Sequence, residues 1–352
     1  MTTTAHIIAR AQLPHLGHFQ LIKHALHIAD HVQVILGSAG TAPNPDNPFS
    51  PAERKAMIQA ALPPECLDRV QFAAQRDRYD NALWLEDVRA LVGEHHKRHD
   101  GSGRPTLVGV QKDASSDYLT WFPEFELDQG LGLLDGLSST PLRSAYFTTA
   151  TDTPLPSVLK RSCPPAVIDW LAEFRQTPGY QQLARYTRGV LAYRKDWGRG
   201  PFYTGDAIIS CNGHILMIRR DGDCGNGQLA LPGGFREPGE DGVENALREC
   251  NEETSLIDLG DVTLQDLLAA RGDSREFGHP SRSPRAHLIT CATVFDLGER
   301  PTLPRVKSQR GEVQSTIWVP REVFPRLERE CFEDHSNIIS TMLRMALPSI
   351  TI

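Results

Sequence analysis

Short apolar runs alternate with amphipathic stretches through the first half of the chain. His6-Ile7-Ile8-Ala9 reads as a strand, and Phe19, Ile22, Leu26 and Ala29 recur at spacings of three and four, which predicts a helix over 18–30 with one apolar stripe. Val32 to Gly37 forms the next strand, 82–98 a further helix, and Thr106 to Val110 a third buried strand. Strands and helices taking turns favour a parallel sheet covered on both faces. Between Thr148 and Pro165 the chain is rich in Thr, Pro and Ser, which predicts a loop ahead of a helix near 165–176. From Gly205 the pattern changes to short strands (207–210 and 214–218), a glycine-rich turn, one acidic helix, and strands near 286–296 and 314–319. That is an α+β arrangement. At 352 residues the chain exceeds what one core ordinarily serves, so two domains are expected, 1–186 and 187–352.

Composition narrows the function classes. The chain is 40% hydrophobic and 23% charged, with no apolar run near the ~20 residues that span a bilayer, so no membrane association is expected. Its start, Met-Thr-Thr-Thr-Ala-His, lacks the basic segment and apolar run of a secretory signal, which predicts a cytoplasmic location. The seven cysteines are scattered without a Cys-x-x-Cys pair, so they read as reduced packing residues. A net charge of -7 argues against a general nucleic-acid surface. Small anionic nucleotides remain suitable partners, since a few cations and a helix amino terminus hold phosphate.

The most informative stretch is Gly234-Phe-Arg-Glu-Pro-Gly-Glu240, followed after seven residues by Arg248-Glu249-Cys250-Asn251-Glu252-Glu253-Thr254-Ser255-Leu256. In a helix over 241–254, Val243, Leu247 and Cys250 share one face, while Glu249 and Glu253 lie one turn apart on another with Glu252 nearby. Glutamate-rich helices are commonly plain solvated faces. Three carboxylates at this spacing also suit Mg²⁺ or Mn²⁺, hard ions that take oxygen ligands and bridge to phosphates. Gly233 and Gly234 read as the sharp loop that lets backbone approach a phosphate.

The stretch resembles the Nudix box: Gly, five residues, Glu, seven residues, Arg-Glu, an aliphatic residue, any residue, Glu-Glu, any residue, Gly, aliphatic. Every charged position matches; Cys250 replaces the aliphatic residue and Ser255 the glycine. The resemblance implies that Glu240 and Arg248 tie loop to helix and that Glu249, Glu252 and Glu253 are metal ligands and catalytic groups. Two further segments, Phe277-Gly-His-Pro-Ser-Arg-Ser-Pro-Arg285 and Phe332-Glu-Asp-His335, resemble ADP-ribose-cleaving Nudix enzymes. That likeness implies Gly233, Gly234, Arg282 and Arg285 as ADP-ribose contacts.

In the first half, His15-Leu16-Gly17-His18 stands between a strand and a helix, where a helix amino terminus and two imidazoles can face an anion. It resembles the His-x-Gly-His signature of the nucleotidyltransferase superfamily, and Ser138-Ser139-Thr140-Pro141-Leu142-Arg143 resembles that superfamily's Ser-Ser-Thr-x-x-Arg. Thr140 suits a helix cap with Pro141 in the first helical position. Leu36 to Ala39, Asn47 to Ser50 with Glu53-Arg54, Asn81 to Trp84, and Gly109 to Asp113 are similar to archaeal-type nicotinamide mononucleotide adenylyltransferases, a branch fused in some bacteria to a Nudix domain. The resemblance implies catalytic roles for His15, His18 and Arg143. It places Arg10, Gln12, Asn81, Trp84, Lys112, Ser138, Ser139 and Thr140 at ATP and nicotinamide mononucleotide, with Trp84 stacked on the nicotinamide. One departure is plain: the family's Gly-Arg-Phe-Gln-Pro appears here as Ala9-Arg10-Ala11-Gln12-Leu13.

The expected fold is α/β: a Rossmann-like nucleotidyltransferase domain with a parallel sheet, then an α+β Nudix fold, an α/β/α sandwich. The expected function is a bifunctional one, adenylyl transfer from ATP to nicotinamide mononucleotide and metal-dependent hydrolysis of ADP-ribose to AMP and ribose 5-phosphate, with Mg²⁺ or Mn²⁺ as cofactor. Alternatives with the same folds are another mononucleotide acceptor, NADH or a dinucleoside polyphosphate as the Nudix substrate, or one domain acting as a nucleotide sensor. Regulation of transcription is discouraged by the acidic charge and the intact glutamates. The sequence leaves a homo-oligomer open.

Overall fold

Apolar residues on alternate positions of two neighbouring strands determine how the first half is layered. In the computed structural model, which describes residues 2–111, 114–129, 137–308 and 313–352, β1 (Thr4–Ala9) pairs in parallel with β2 (His31–Leu36). Val32, Val34 and Leu36 face one side with Ala5 and Ile7, where they bury Ile22 and Ala25 of α1 (Leu16–Ile28). Ile35 faces the other side and packs on Val88 and Val92 of α3 (Asn81–Arg98). Between them in sequence come α2 (Pro51–Ala61) and β3 (Val70–Ala74); β4 (Thr106–Val108) and β5 (Glu126–Asp128) follow α3. The sheet order is β3-β2-β1-β4-β5, parallel throughout. The order reverses beside β1, so the carboxyl ends of β1 and β4 flank the crevice where α/β sheets bind ligands.

Four helices follow: α4 (Ser139–Thr148), α5 (Ser157–Ser162), α6 (Pro165–Phe174) and α7 (Pro178–Trp197). The Thr-Pro-Ser-rich stretch thus contains a short helix, α5. The chain divides into two compact units, Met1–Gln181 with Ser349–Ile352, and Gln182–Pro348. The division falls inside α7, which carries no break at residue 186.

The second unit is a mixed sheet. β6 (Phe202–Cys211), β7 (His214–Arg220), β8 (Leu229–Ala230) and β9 (Gly233–Phe235) precede α8 (Gly242–Thr254); α9 (Leu264–Ala269), β10 (Arg271–Phe277), β11 (Leu288–Asp296), β12 (Val313–Pro320) and α10 (His335–Met342) follow. The order is β10-β11-β6-β7-β12, with β8 on β7 and β9 on β6; only β11–β6 is parallel. Val243, Ala246, Leu247 and Cys250 of α8 bury against Ala207, Ile209 and Phe295. All seven cysteines are free. Among the described residues no helix is long and apolar enough to cross a membrane.

Asp241 caps α8 at its start, accepting from the amides of Val243 (2.7 Å) and Glu244 (2.9 Å). At its end Ser255 takes φ 49° and ψ 26°, the left-handed conformation that glycine adopts freely, and its amide reaches Asn251 O. A Cβ in this region costs roughly 1–2 kcal/mol. Ser255→Gly therefore raises stability by about 1 kcal/mol, read as a higher thermal midpoint; a fall shows that the serine side chain contributes more than the strain it brings.

Five histidines gather where the amino ends of β1 and β2 meet the end of α3. His6 and His95 are buried, with rings 5.1 Å apart; His95 lies 4.8 Å from His99, which stacks on His31 at 3.8 Å. Thr4 Oγ1 links His6 (3.3 Å) to His96 (2.6 Å), while Gln33 and Gln71 bond His6 and His99. Burial pushes His6 down to about 4 and His95 down to about 3, with neighbouring histidines and Arg98 adding to the effect on His95. Burial and His31 lower His99 as well. The unfolded chain binds these protons near pH 6.5 and the folded one does not, so stability present above pH 6.5 is lost as pH falls toward 4. Each such group contributes a slope of ~1.4 kcal/mol per pH unit. Thermal denaturation of the full chain from pH 7 to 5 should show the first unit weakening, and His95→Leu should flatten that decline; an unchanged profile would rule the cluster out as its cause.

Candidate functional site

At the crevice of the first unit the loop after β1 is tied down residue by residue. The Arg10 carbonyl accepts from Arg54 Nη1, which also donates to Gly37 O at 2.7 Å. Ala11 O accepts from Leu13 N at 2.9 Å, Gln12 O from Arg143 Nη1 at 3.4 Å, and Leu13 O from Ser139 Oγ at 3.2 Å. Ala11 (φ 45°) and Leu13 (φ 117°) both lie at positive φ. Gln12 is buried; its Oε1 accepts from Phe49 N at 3.0 Å, and its Nε2 is buried with no partner among the described residues.

His15 caps α1 and is buried, and its amide donates to His18 Nδ1 at 3.2 Å, with the two rings 4.0 Å apart. Arg143 is also buried. It bonds Pro45 O (3.1 Å), Thr140 Oγ1 (3.3 Å) and Asp46 Oδ1 (3.5 Å). Its pKa is lowered by burial first, against Asp46, with Arg10 close enough to add to the lowering. The structure thus brings Arg10, Gln12, Ser139, Thr140 and Arg143 together. Ser138, and not Thr140, caps α4, accepting from Thr140 N, so Pro141 falls at the third helical position. The serine pair offers two adjacent caps, and the chain takes the earlier one.

Asn81 and Trp84 open α3 at the same carboxyl edge of the sheet. Asn81 is exposed, while Trp84 is half-buried with its ring 5.9 Å from Tyr118, 6.3 Å from Trp121 and 6.0 Å from Phe122. Tyr118 donates to Ile8 O at 3.0 Å, which holds this aromatic group over the end of β1. Lys112 lies outside the described residues.

In the second unit Arg248 organises the acidic helix. Its Nε and Nη2 grip Glu240 at 2.6 and 3.1 Å, Nη2 also reaches Phe235 O, and Nη1 donates to both Glu249 and Glu252 at 3.0 Å. These bonds hold the Glu240 carboxyl below the ordinary range. Glu253 is buried and accepts from Gly233 N at 2.9 Å, whereas Glu252 is exposed. The three carboxylates are therefore not one bare cluster, and among the described residues no group of three such side chains stands in ligating arrangement. Two of them instead share one Arg248 nitrogen, which offsets their mutual repulsion.

Gly233 and Gly234 do not form a positive-φ turn; they lie in β9, opposite Asp206 and Gly205 of β6. What they permit is close approach. A Cβ on Gly234 would stand 2.5 Å from the Glu249 carboxylate, and one on Gly233 2.3 Å from Asp206 Oδ1. Asp206, which the sequence did not single out, is buried, accepts from Thr290 Oγ1 at 2.6 Å and is pushed up by burial to about 6.

Arg282 and Arg285 meet the other predicted segment. Arg282 grips Asp334 with bonds of 3.0 and 2.8 Å, and Arg285 grips Glu333 at 2.9 and 3.2 Å, with Ser283 donating to Glu333 as well. His335 Nδ1 accepts from Leu231 N at 2.9 Å and, by burial, stays neutral. The two segments thus lock together, and His335 ties them to Leu231, between β8 and β9. Arg220 over Phe332, with Tyr186 and Tyr193 nearby, was missed. The available signal was a charged residue closing an otherwise apolar strand.

Residues 8–92 match the cytidylyltransferase-like family model and residues 204–340 the NUDIX domain. The nicotinamide/nicotinic acid mononucleotide adenylyltransferase of Acinetobacter baylyi is 33% identical over 181 residues, 51% of this chain and 91% of the relative. The ADP-ribose pyrophosphatase of Methanocaldococcus jannaschii is 37% identical over 92 residues, 26% of this chain and 48% of that protein, so the match spans about half of its length. A bifunctional NMN adenylyltransferase/ADP ribose pyrophosphatase of Francisella tularensis, crystallised with AMP and a manganese ion, superposes with a TM-score of 0.86 at 28% identity, covering 98% of this chain and 99% of that one. With most of the Acinetobacter protein matched at that identity and a NUDIX domain following in the same polypeptide, this chain belongs to the nicotinamide/nicotinic acid mononucleotide adenylyltransferase family.

Proposed function

We propose that residues 1–186 transfer the adenylyl group of ATP to nicotinamide mononucleotide, giving NAD and pyrophosphate, and that residues 187–352 hydrolyse ADP-ribose to AMP and ribose 5-phosphate. The second half rests on the NUDIX match over residues 204–340 together with the placement of the α8 glutamates against β9, where Glu253 accepts from Gly233 N and the Glu249 carboxylate lies against Gly234. The first half rests on the paired His15 and His18 rings at the amino end of α1, opening on the crevice beside β1.

In the adenylyltransferase site His15, His18 and the first amides of α1 would face the triphosphate, while Arg10, Lys112 and Arg143 balance charge as a nucleotide phosphate oxygen attacks the α-phosphorus in line. Asn81 and Trp84 would hold the nicotinamide end, and Gln12, Ser138, Ser139 and Thr140 the nucleotide near the loop. No side chain needs to form a covalent bond; positioning and electrostatics suffice.

In the hydrolase site Glu249, Glu252 and Glu253 would hold Mg²⁺ or Mn²⁺. Bound there, such an ion polarises a phosphoryl oxygen and lowers the pKa of water. Arg248 keeps Glu249 and Glu252 on one side of α8. Gly234 lets β9 come against the Glu249 carboxylate, and Gly233 lets it come against Asp206. Arg282 and Arg285 serve ADP-ribose by holding the segment beside it in place.

The test is product chromatography on the full chain with ATP, nicotinamide mononucleotide and Mg²⁺ in one tube and ADP-ribose in another. NAD lost only with His18→Ala and AMP lost only with Glu253→Gln is the expected pattern; no NAD from the unmodified chain removes the first assignment, and no AMP the second. EDTA should abolish AMP formation, restored by Mg²⁺ or Mn²⁺. Gly234→Ala forces Glu249 away and should lower ADP-ribose cleavage by about 100-fold or more with adenylyl transfer unchanged; activity within a few-fold of the parent would contradict the close-approach account.

A further inference from the structure

The segment between the two matched family models supplies two residues that face the second unit's interior. Tyr186 and Tyr193 stand seven apart on α7, on the face that docks at Gly189, where a Cβ would lie 2.8 Å from Asp223 and 3.0 Å from Cys224 Sγ. Arg194 fixes the same face by donating to the carbonyls of Pro284 and Arg285. Both tyrosine hydroxyls are buried with no hydrogen-bond partner among the described residues. A buried hydroxyl left so costs roughly 1–3 kcal/mol.

The groups around them are cationic and aromatic. The Tyr186 ring stacks on Phe332 at 6.4 Å, Arg220 lies over the same ring at 4.1 Å, and Arg285 lies 5.0 Å from Phe332 and 5.8 Å from Tyr193. On its other side Tyr193 stacks with Phe235 of β9 at 6.5 Å, next to Gly233 and Gly234. Arg285 is held by Glu333. Arg220 is different: its Nε reaches Cys224 O at 3.4 Å, but neither terminal nitrogen bonds any described residue. It lies within the electrostatic reach of Glu253 and Glu333. A partly desolvated guanidinium with two open forks suits an oxyanion, and nearby hydroxyls suit ribose oxygens.

We infer that Arg220, Tyr186 and Tyr193 form a substrate subsite beside the Nudix glutamates, Arg220 taking a diphosphate oxygen and the tyrosines ribose hydroxyls. This deepens the ADP-ribose reading and rests on it. Specificity for a nucleoside diphosphate sugar then depends on α7, outside the Nudix domain proper.

The test uses the full chain with Mg²⁺ and ADP-ribose for kinetics, and the α,β-methylene analogue of ADP-ribose for calorimetric binding. Arg220→Gln should raise KM and the analogue's Kd about 10- to 100-fold, and Tyr186→Phe and Tyr193→Phe about 3- to 10-fold, with kcat changed less than KM. Adenylyl transfer should stay constant. The thermal midpoint of ligand-free Arg220→Gln should stay within a few degrees of the parent, because the guanidinium makes a single 3.4 Å hydrogen bond; Arg220→Lys should recover part of the affinity. Unchanged KM and Kd in Arg220→Gln, Tyr186→Phe and Tyr193→Phe, or a lowered midpoint with a fall in both activities, overturns the subsite. Failure of the unmodified chain to cleave ADP-ribose would instead sink the functional reading, and analogue binding by the same variants would still judge the subsite.

Discussion

Three glutamates within five residues of one helix repel one another, and α8 holds them because the Arg248 guanidinium stands among them. That one group grips Glu240 on the incoming loop, bridges Glu249 and Glu252, and reaches the Phe235 carbonyl. Its planar fork suits this task as a flexible ammonium does not. The loop, strand β9 and the acidic face are thereby fixed to each other before any ligand arrives. The glycines complete the arrangement by removing side chains where β9 meets Glu249 and Asp206. The proposed hydrolase site is built on a helix and a strand, so its carboxylates are placed by rigid elements.

The arginines of this protein divide into two kinds. Arg54, Arg143, Arg282 and Arg285 are buried or nearly so, and they donate to backbone carbonyls, carboxylates and, for Arg143, the Thr140 hydroxyl. They shape the loops that carry the sites. Arg220 makes one long bond through Nε and otherwise rests on an aromatic ring. Sequence position does not distinguish these kinds, because an arginine in a family motif looks the same whether it touches the substrate or the loop that does. The partners distinguish them: a guanidinium already gripped bidentately has little left to offer an incoming phosphate.

This is also where sequence reading ran out. The alternation of strands and helices in the first half and the α8 helix were legible, because periodicity reports local geometry directly, while the link of Glu240 to Arg248 was implied by the resemblance to the Nudix box. Strand β10 was not: Arg271 to Glu276 are exposed polar residues on an edge, with no apolar alternation to mark them. Nor was α7, whose docked face mixes Tyr186, Gly189 and Tyr193 with charged neighbours, and which runs through the expected domain boundary at 186. Asp206 sits in the apolar strand β6, and its importance depends on Thr290, 84 residues away. Contacts of that kind exist only once the sheet has formed.

The departure at Ala9–Leu13 is best judged by what holds the loop. Two of its residues adopt positive φ without being glycine, a cost of order 1–3 kcal/mol each that persists only where surroundings over-determine the backbone. Here they do. Four consecutive carbonyls, from Arg10 to Leu13, each have a donor: Arg54, the Leu13 amide, Arg143 and Ser139. Two of those donors come from α4, whose Ser-Ser-Thr-x-x-Arg stretch is therefore a clamp on the loop as well as a neighbour of the nucleotide crevice. A loop held at three of these four carbonyls by groups outside it can lose the family's Gly, Phe and Pro and keep its path. The same bonds make Arg143 and Ser139 poor places to look for a purely chemical defect, since removing either frees the strained turn before it touches any substrate.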